Sequence, residues 1–433
     1  MRFKNLGIFV LLLLIVVVTT WLQPSFGAPA NLRSLVRDTG LYGLISIGVA
    51  LVIMTGGIDL SIGSLVALSG VLLVQFINVQ TIDTDFVSKI VQTRSTVEAP
   101  FAGPSLLLAD PLPTIAKGDR LSFDSTTGTS SVVIDRVVDV EIEGDEKSFI
   151  ELRDRLQQLR PGVEVRLQRV VSANPYLACG IVLAISAAIG LMHGLLVTRG
   201  NLQPFVVTLC GLLIYRGLAR VLTGDNQVGL LGALPDFKLK LTGSVFELPV
   251  PFIARLGSSD AAWSDVSWIE IPVSGMILGV VAILGWAFLN RSVWGRHLLA
   301  TGENENAARY SGVQTKRLIV LAYVICSLLA GLTGILFCLE LNSVQPGSSG
   351  SFYELYAIAA AVLGGCSLRG GRGAILSVIA GAAVMRCLYK AIVVLGISQE
   401  WEMVIIGMAL LAAVAFDEIA IRFQARKRRL SIG

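Results

Sequence analysis

The stretch LISIGVALVIMTGGIDLSIGSLVALSGVLLVQFI, residues 44–77, decides the class of fold because it holds two long apolar runs and a single charged side chain, Asp59. A helix needs about 20 mostly apolar residues to cross the hydrocarbon core of a bilayer. Both runs approach this length. The Gly56-Gly57 pair between them can adopt positive φ angles and so interrupt a helix. The stretch therefore predicts two membrane-spanning helices joined by a short break.

The composition of the whole chain also indicates a polytopic membrane protein. Of its 433 residues, 54% are apolar and only 15% are charged, and the mean hydropathy is +0.72. Soluble domains carry roughly 25% charged residues, so a soluble globular enzyme is nearly excluded. The net charge of +4 argues against nucleic-acid binding, and the two His residues without paired Cys argue against a zinc or haem site. The phosphate-binding loop G-x-x-x-x-G-K-[ST] does not occur, so we expect no ATP or other cofactor in this chain.

Ten apolar segments of spanning character occur along the chain. They lie at residues 7–22, 40–54, 60–77, 175–198, 204–222, 273–289, 318–339, 354–367, 374–395 and 402–420. The eighth is short and flanked by glycines, which suits a helix buried among its neighbours. The first is longer than the roughly 7–15 apolar residues of a secretory signal peptide, so a retained anchor is predicted. The sequence thus predicts an all-α polytopic membrane protein with about ten transmembrane helices.

The distribution of Lys and Arg over the loops predicts the orientation, because cytoplasmic loops carry an excess of these residues. If the N-terminus is inside, the inner segments include Arg296, Arg309 and the basic run at 426–429, whereas the short outer loops hold fewer basic residues. Both termini are therefore predicted to be cytoplasmic.

Residues 80–173 differ in character from the rest of the chain. They contain fifteen Asp and Glu residues and eleven Lys and Arg residues, and apolar and polar residues alternate at 131–142, as is typical of strands. The segment 148–160 has the pattern of one amphipathic helix. We therefore predict a small β-rich soluble domain on the extracytoplasmic side of the membrane, inserted between transmembrane helices 1–3 (residues 1–79) and 4–10 (residues 174–433).

Asp59 stands in the break between the second and third segments, where irregular backbone persists only if it is buried in protein or lines a cavity. Its carboxylate is well placed to cap the following helix by accepting backbone N–H bonds. An acid inside the membrane is also a candidate for contact with a substrate or a proton. The sequence leaves both interpretations open.

Glycine pairs in the spans predict close helix packing rather than chemistry. Gly190 with Gly194, and Gly275 with Gly279, have the G-x-x-x-G spacing that lets two helices approach closely. The glycines within 364–373 lack the strand context and the Lys-Ser/Thr of a phosphate loop, so they predict a tight turn.

Four blocks of sequence match, in their order and spacing, the pattern of a known transporter family. They are GGIDLSIGS at 56–64, GLLVTRGNLQPFVVTL at 194–209, NAARYSGV at 306–313, and YELYAIAAAVLGG at 353–365 with GGRG at 370–373. On these blocks the chain resembles the membrane permeases of bacterial sugar ABC transporters, the ribose, galactose and xylose group.

The resemblance implies a pore subunit that imports a monosaccharide such as ribose, galactose or xylose across the bacterial inner membrane and is not itself an enzyme. It implies cytoplasmic ABC ATPase subunits that bind the ATP, a periplasmic sugar-binding protein, and a second permease, either another copy or a paralogue. Membrane lipid surrounds such a subunit. Four features depart from the family pattern: His193 stands where Asn is more common, Arg386 lies in a usually apolar helix, the outer loop 223–272 is longer than expected, and 80–173 has no counterpart in the common members.

The resemblance also places an ATPase-coupling loop at 290–317. Within this loop, 304–311 contains Ala and precedes Gly312, a usual C-terminal cap, so a short cytoplasmic helix is predicted. An ordinary basic inner loop is the alternative. The residues expected to couple to the ATPase are Glu305, Ala307, Ala308, Arg309 and Gly312.

Candidate substrate-pathway residues are polar or aromatic and fall near the midplane or the outer half of the predicted bundle. They are Asp59, Ser61, Asn342, Tyr353, Glu354 and Trp401. Aromatic residues at the membrane interface often serve only as anchors. Gly56 and Gly57 are assigned to the helix break, and no catalytic or metal-binding residue is predicted.

Two other functions stay open on the sequence alone. An importer of another solute, such as a branched-chain amino acid, would have the same architecture. An ion-coupled secondary transporter would use Asp59, Glu354 or His193 as a proton relay, but it would leave the coupling loop unexplained. A membrane enzyme is not supported, because no nucleophile–base or metal constellation occurs in the sequence.

Overall fold

The structure is a computed structural model, and it describes residues 6–94, 105–110, 112, 119–125, 128–142, 145–152, 161–230, 233–250, 267–408 and 411. The chain forms two compact units. The helical unit comprises Met1–Leu72, Cys179–Val228 and Lys240–Gly433. The barrel unit comprises Leu73–Ala178 and Gly229–Leu239.

The described helices agree closely with the predicted spans. In chain order they are α1 (Leu6–Leu22), α2 (Pro29–Met54), α3 (Ile62–Ile77), α4 (Pro175–Thr198), α5 (Pro204–Thr223), α6 (Pro235–Thr242), α7 (Val273–Arg291), α8 (Val293–Glu303), α9 (Glu305–Tyr310), α10 (Thr315–Leu341), α11 (Tyr353–Leu363) and α12 (Ile375–Val394). Short 3-10 turns lie at Pro24–Gly27 and Gln399–Trp401.

Six of these helices, namely α2, α4, α5, α7, α10 and α12, are long and apolar enough to cross a membrane within the described residues, and α1, α3 and α11 are shorter apolar helices. These nine coincide with nine of the predicted spans. Of the tenth, 402–420, residues 402–408 are helical and most of the remainder lies outside the described residues. The mostly helical, membrane-spanning character is therefore confirmed.

The start of α2 differs from the prediction, which placed it near residue 40. The helix begins at Pro29 and includes Arg33, Arg37 and Asp38. Hydropathy places such charges outside a span, but here they are ion-paired with side chains of other elements. Pairing removes most of the cost of burying these charges, so the helix continues through them.

α2 and α10 are the most buried of the six candidate spans, whereas α4, α5 and α7 have the smallest share of buried residues. The predicted close approach at Gly190 and Gly194 is confirmed. A Cβ on either glycine would lie 2.7 Å from a backbone Cα of α10, that of Val324 or Val320. α4 and α10 therefore pack backbone to backbone.

The second glycine pair behaves differently. A Cβ on Gly275 would lie 2.7 Å from Cγ1 of Val36 on α2, so this glycine does permit a close contact. Gly279 has nothing within 4 Å of where its Cβ would be. Only one member of this pair therefore serves packing in the described structure.

The barrel unit contains a closed barrel with strands in the order β1-β2-β5-β4-β3-β6. The strands are β1 (Gln80–Arg94), β2 (Ser105–Leu108), β3 (Arg120–Ser125), β4 (Gly128–Ile142), β5 (Asp145–Leu152) and β6 (Glu164–Val171). The ladders are antiparallel, for example between Leu121 and Val132. Leu106, Ile150 and Leu167 are fully buried inside. The β-rich character predicted for this segment is confirmed.

The helix predicted at 148–160 is wrong for its first part. Residues 148–152 belong to β5, which pairs with both β2 and β4. Ser148, Ile150 and Leu152 are buried, which is the two-residue period of a strand with one face inward. Cross-strand burial decides the local structure here over a pattern that also fits a helix. Residues 153–160 lie outside the described residues.

Four further strands lie outside the barrel: β7 (Val228–Gly229), β8 (Ser244–Val250), β9 (Ser267–Pro272) and β10 (Ser343–Val344). β8 and β9 pair antiparallel, from Ser244 opposite Pro272 to Val250 opposite Ser267. α7 follows β9 without a gap, so this hairpin brings the β9 side chains to the start of α7.

The packing of α4 on α10 gives a first prediction. Gly190→Ala should destabilise the protein by about 1–3 kcal/mol, because the added methyl meets backbone atoms that cannot move aside. Gly279→Ala is the matched control, since it adds the same methyl to a span where nothing lies within 4 Å. The measurement is the thermal stability of the detergent-purified protein. Equal stability of the two variants would contradict the backbone-to-backbone packing.

Candidate functional site

The chain between α2 and α3 is irregular, and its two adjacent glycines have different roles. α2 ends at Met54, and Gly56 adopts a φ of +86°, a backbone conformation that residues other than glycine rarely adopt. Gly57 provides space instead, because a Cβ there would lie 2.8 Å from the hydroxyl oxygen of Tyr323. The break is therefore made by its own glycines and is packed against α10.

Asp59 is completely buried in this break. Its Oδ1 accepts hydrogen bonds from the backbone N–H of Ser61 at 2.9 Å and from the Ser61 hydroxyl at 2.7 Å. The Ser61 carbonyl then accepts from the N–H of Leu65, in the first turn of α3. The carboxylate thus holds the turn that leads into α3, in the manner of an Asx turn. Its Oδ2 has no hydrogen-bond partner among the described residues.

Three polar side chains from other spans converge on this carboxylate, and together with it they form the Asp59 cluster: Asp59, His193, Tyr215 and Tyr323. The Tyr215 hydroxyl lies 2.7 Å from Nε2 of His193. The rings of His193 and Tyr323 meet edge to face with centroids 6.4 Å apart. All three interact electrostatically with Asp59.

The Asp59 cluster has unused hydrogen-bonding capacity. His193 is only 1% exposed, and its Nδ1, like Oδ2 of Asp59, has no partner among the described residues. Buried polar atoms normally find a partner. The cluster is therefore suited to hold a small polar species, such as a water, a proton or a hydroxyl group of a solute.

Tyr215 and Tyr323 are not among the residues selected from the sequence, because an aromatic residue in an apolar span is most often core or anchor. A signal was present on α5. Thr208 and Tyr215 are seven residues apart, so they share one helical face. The Thr208 hydroxyl donates to the carbonyl of Ile58 in the break at 3.3 Å, which shows that this face is turned towards Asp59.

A second polar group lies at the other end of α2, and we call it the Arg386 network: Arg37, Asp38, Glu340 and Arg386. Asp38 is ion-paired with Arg37 at 3.0 Å and with Arg386 at 3.2 Å. Arg37 also pairs with Glu340 at 3.0 Å. The four charges are two positive and two negative, so the network is neutral as a whole. The Nε of Arg386 is buried without a partner in the described structure.

Aromatic rings enclose the Arg386 guanidinium. Its central carbon lies 4.3 Å from the ring centroid of Tyr42 and 4.4 Å from that of Tyr389, within the range of cation–π attraction. Tyr42 also packs against Tyr353, with centroids 4.7 Å apart. Charge pairing and stacking together explain how an arginine is accommodated on an otherwise apolar helix. Tyr353 is thus part of the wall around Arg386.

The other residues predicted for the substrate pathway are not members of either group. Glu354 lies against the first turn of α3, where a Cβ on Gly63 would collide with its carboxylate. Asn342 ends α10 in a left-handed conformation, with φ +57°. Trp401 is 58% exposed. The structure brings Asp59 and Ser61 together but does not join Asn342 or Trp401 to them.

The segment predicted to couple to an ATPase is the short helix α9. The Asn304 side chain accepts from the N–H of Ala307 at 3.0 Å and caps its start, and Gly312 follows its end with φ +83°. The Glu305 carboxylate accepts a hydrogen bond from the Thr315 hydroxyl at 3.1 Å. α9 is therefore held to the start of α10 as well as capped at both ends.

The two alanines of α9 have different surroundings. Ala308 is only 6% exposed, so packing within this chain already explains its small size. Ala307 and Arg309 are exposed, and the ring of Tyr310 is 85% exposed. The Arg309 guanidinium carbon lies 5.9 Å from the centroid of that ring. The outward surface of α9 thus includes Ala307, Arg309 and Tyr310, beside the exposed Glu305 and Asn306.

Comparisons with known proteins all identify transport permeases. A family model described as branched-chain amino acid transport system / permease component matches residues 31–414. The ribose import permease protein RbsC of Bacillus subtilis (strain 168) is 28% identical over 414 residues, which cover 96% of this chain and 92% of RbsC. The D-allose transport system permease protein AlsC of Escherichia coli (strain K12) is 31% identical over 251 residues, 58% of this chain and 69% of AlsC. No solved structure matches the chain significantly.

The Arg386 network gives a second prediction. Arg386→Gln should destabilise the protein by about 3–5 kcal/mol, because it removes one partner of a mostly buried ion pair. The matched control is Arg220→Gln, which breaks an exposed pair with Asp225 and should change stability little. The measurement is thermal unfolding of the purified protein. Equal losses of stability in the two variants would show that the pair of Arg386 with Asp38 stabilises the protein no more than an exposed pair does.

Proposed function

This chain belongs to the permease family described as branched-chain amino acid transport system / permease component, and on that premise we propose that it is the pore subunit of an ABC importer for a monosaccharide. Membership makes it a multi-pass transport protein and not an enzyme. The observation that carries the choice of solute is the similarity to a ribose import permease over 96% of this chain and 92% of that protein.

A branched-chain amino acid is the second candidate solute, because the family description names it. The polar groups inside the helical unit favour the sugar. Asp59, His193 and Tyr215 offer a carboxylate, an imidazole and a hydroxyl group, which suit a solute that carries hydroxyls. An amino acid would bind them through its ammonium and carboxylate groups only, because its branched side chain offers no hydrogen bond.

The partners follow from the proposed role. The chain would work with cytoplasmic ABC ATPases, which would bind the ATP, with a periplasmic sugar-binding protein, and with a second permease. We place both termini in the cytoplasm, because the basic loops then face inward. The barrel unit would then project on the periplasmic side.

We assign ATPase docking to the outward surface of α9. Exposed tyrosine and arginine residues are the types that dominate the energetics of protein interfaces, and Tyr310 with Arg309 supplies both. Caps at both ends make α9 a defined element rather than a flexible loop. This supports coupling over the alternative of an ordinary basic loop.

The path from α9 into the membrane runs through the end of α2. The carbonyl of Met54 accepts from the N–H of Gly371 at 2.9 Å. A Cβ on Gly302, near the end of α8, would overlap that same carbonyl. Backbone contacts of this kind transmit displacement because they cannot be compressed. A movement of α8 and α9 would therefore act on α2 next to the break that contains Asp59.

Reconstituted uptake tests the proposed function. Proteoliposomes that contain this permease with its ATPase and binding protein should accumulate D-ribose or a related monosaccharide when ATP is inside. L-leucine is the comparison solute. Uptake of leucine with no uptake of any monosaccharide would establish the second candidate, and uptake driven by a proton gradient without ATP would establish an ion-coupled transporter.

Docking gives a third prediction. Tyr310→Ala should weaken ATPase association by at least about 2 kcal/mol, which is roughly thirtyfold in affinity. The protein should still fold, because the ring is 85% exposed. Trp21→Ala is the control, since Trp21 is 81% exposed and lies at the end of α1, eight residues before the start of α2 at Pro29. Co-purification of the ATPase with each variant is the measurement, and equal retention would contradict docking at α9.

A further inference from the structure

A cavity of about 390 Å³ lies at the Pro29 end of α2 in the helical unit. From Pro29 to Met54 this helix has 26 residues, about 39 Å at 1.5 Å per residue. The cavity is therefore far from α9 and the break at Asp59. Its walls come from α2, from the end of α6, from the hairpin strand β9 and from α10. The lining residues are Pro29, Ala30, Arg33, Ser34, Arg37, Thr242, Glu270, Pro272 and Glu340.

Two ion pairs line this cavity. Arg33 pairs with Glu270 at 2.6 Å, and Arg37 pairs with Glu340 at 3.0 Å. All four side chains are partly exposed, with between 23% and 46% of each accessible. The two positive and two negative charges cancel, so the cavity has no net attraction for an anion or a cation.

The chemistry of these walls selects the class of ligand. A guanidinium has five N–H donors and a carboxylate accepts at both oxygens, so each ion pair has spare donors and acceptors beside each other. A sugar hydroxyl both donates and accepts, and neighbouring hydroxyls can contact both members of a pair. An apolar side chain would desolvate the ion pairs and return no hydrogen bond.

We propose that this cavity binds a neutral, polyhydroxylated solute of the monosaccharide class at the outward end of the permease. The inference rests on the proposed function for the direction of transport and for the choice of sugar. Its volume falls within the range of about 300–1,000 Å³ of ligand pockets. Arg37 is the residue that distinguishes this site from a simple surface hollow, because it also pairs with Asp38.

Through Asp38, the cavity is connected to the aromatic wall around Arg386. Sugar hydroxyls that compete for Arg37 or Glu340 weaken the bond between them. The Arg37 guanidinium can then change its distance to Asp38. Asp38 also pairs with Arg386, at 3.2 Å. Arg37 therefore connects occupancy of the cavity with the Arg386 network.

Thiol protection tests the proposal on the full-length protein in membranes. Ser34→Cys places a thiol in the cavity wall, and an impermeant thiol reagent is added from the periplasmic side. D-ribose at ten times its Kd should slow labelling about tenfold, because the free fraction of a site is 1/(1 + [L]/Kd). D-allose, D-xylose and D-galactose are tested beside it, and L-leucine and gluconate are the comparison solutes. The chain without the new thiol gives the background from native cysteines.

Matched variants separate this site from the surface around it. Asn226→Cys is the control position, since Asn226 is exposed and does not line the cavity. In the Ser34→Cys protein, the pair Arg37→Gln and Glu340→Gln should abolish protection, whereas Arg220→Gln should leave it intact. Protection that survives the loss of Arg37 and Glu340 would overturn the assignment of these residues.

The outcomes also distinguish this inference from the proposed function. If no monosaccharide protects Ser34→Cys while ATP-driven uptake of ribose is normal, the cavity is not a sugar site and the proposed function stands. If a monosaccharide protects the thiol but is not taken up with ATP, the cavity is a sugar site and the proposed function fails. Protection by L-leucine or gluconate alone would overturn the class of ligand.

Discussion

The bridging of two arginines by one aspartate makes the long helix α2 possible. Asp38 is shared between Arg37, its neighbour in sequence, and Arg386 on α12. Ionised groups in an apolar bundle are costly unless they are paired. With the pairing, α2 is a single helix from Pro29 to Met54, and it is one of the two most buried spans. Other helices of the unit pack around a helix that charge pairing keeps continuous.

The two ends of α2 have opposite kinds of polar environment. Towards the Pro29 end, the charges of the Arg386 network are paired and cancel, and the Arg386 guanidinium stacks on aromatic rings. At the Met54 end, glycines break the helix and Asp59 is buried with one oxygen unpartnered among the described residues. Unsatisfied buried groups are rare in folded proteins and mark places where something else binds or moves. A continuous helix joins these two ends, so a displacement at one end can act on the other.

The barrel has no exposed strand edge among the described residues, because its sheet is closed. Isolated strands present unpaired backbone groups that invite association with other chains. The six strands from β1 to β6 close on themselves, so the barrel has no free edge. Its interior is filled by its own apolar side chains, including Leu106, Ile150 and Leu167. A closed sheet of this kind supplies its own core, which makes it tolerable as an insertion within a membrane protein.

The sequence alone determined the elements whose signals are local. Apolar runs of spanning length became helices, alternation at 131–142 became β4, and Asn304 with Gly312 bounds α9 as predicted from the cap residue. These features depend on neighbours a few residues away, which a linear pattern records. The four-block resemblance determined the family in the same way, and the match over residues 31–414 confirms it.

Only the tertiary structure decided which polar residues meet. Arg37 and Glu340 are 303 positions apart, and Asp38 and Arg386 are 348 apart. No periodicity connects residues at such distances, so hydropathy placed the start of α2 after its charged residues, near residue 40. The burial of Ala308, the contact of His193 with Tyr215 and the strand at 148–152 have the same origin. Each depends on which distant segment packs alongside, and the free energy of that packing is a property of the folded chain rather than of any window of sequence.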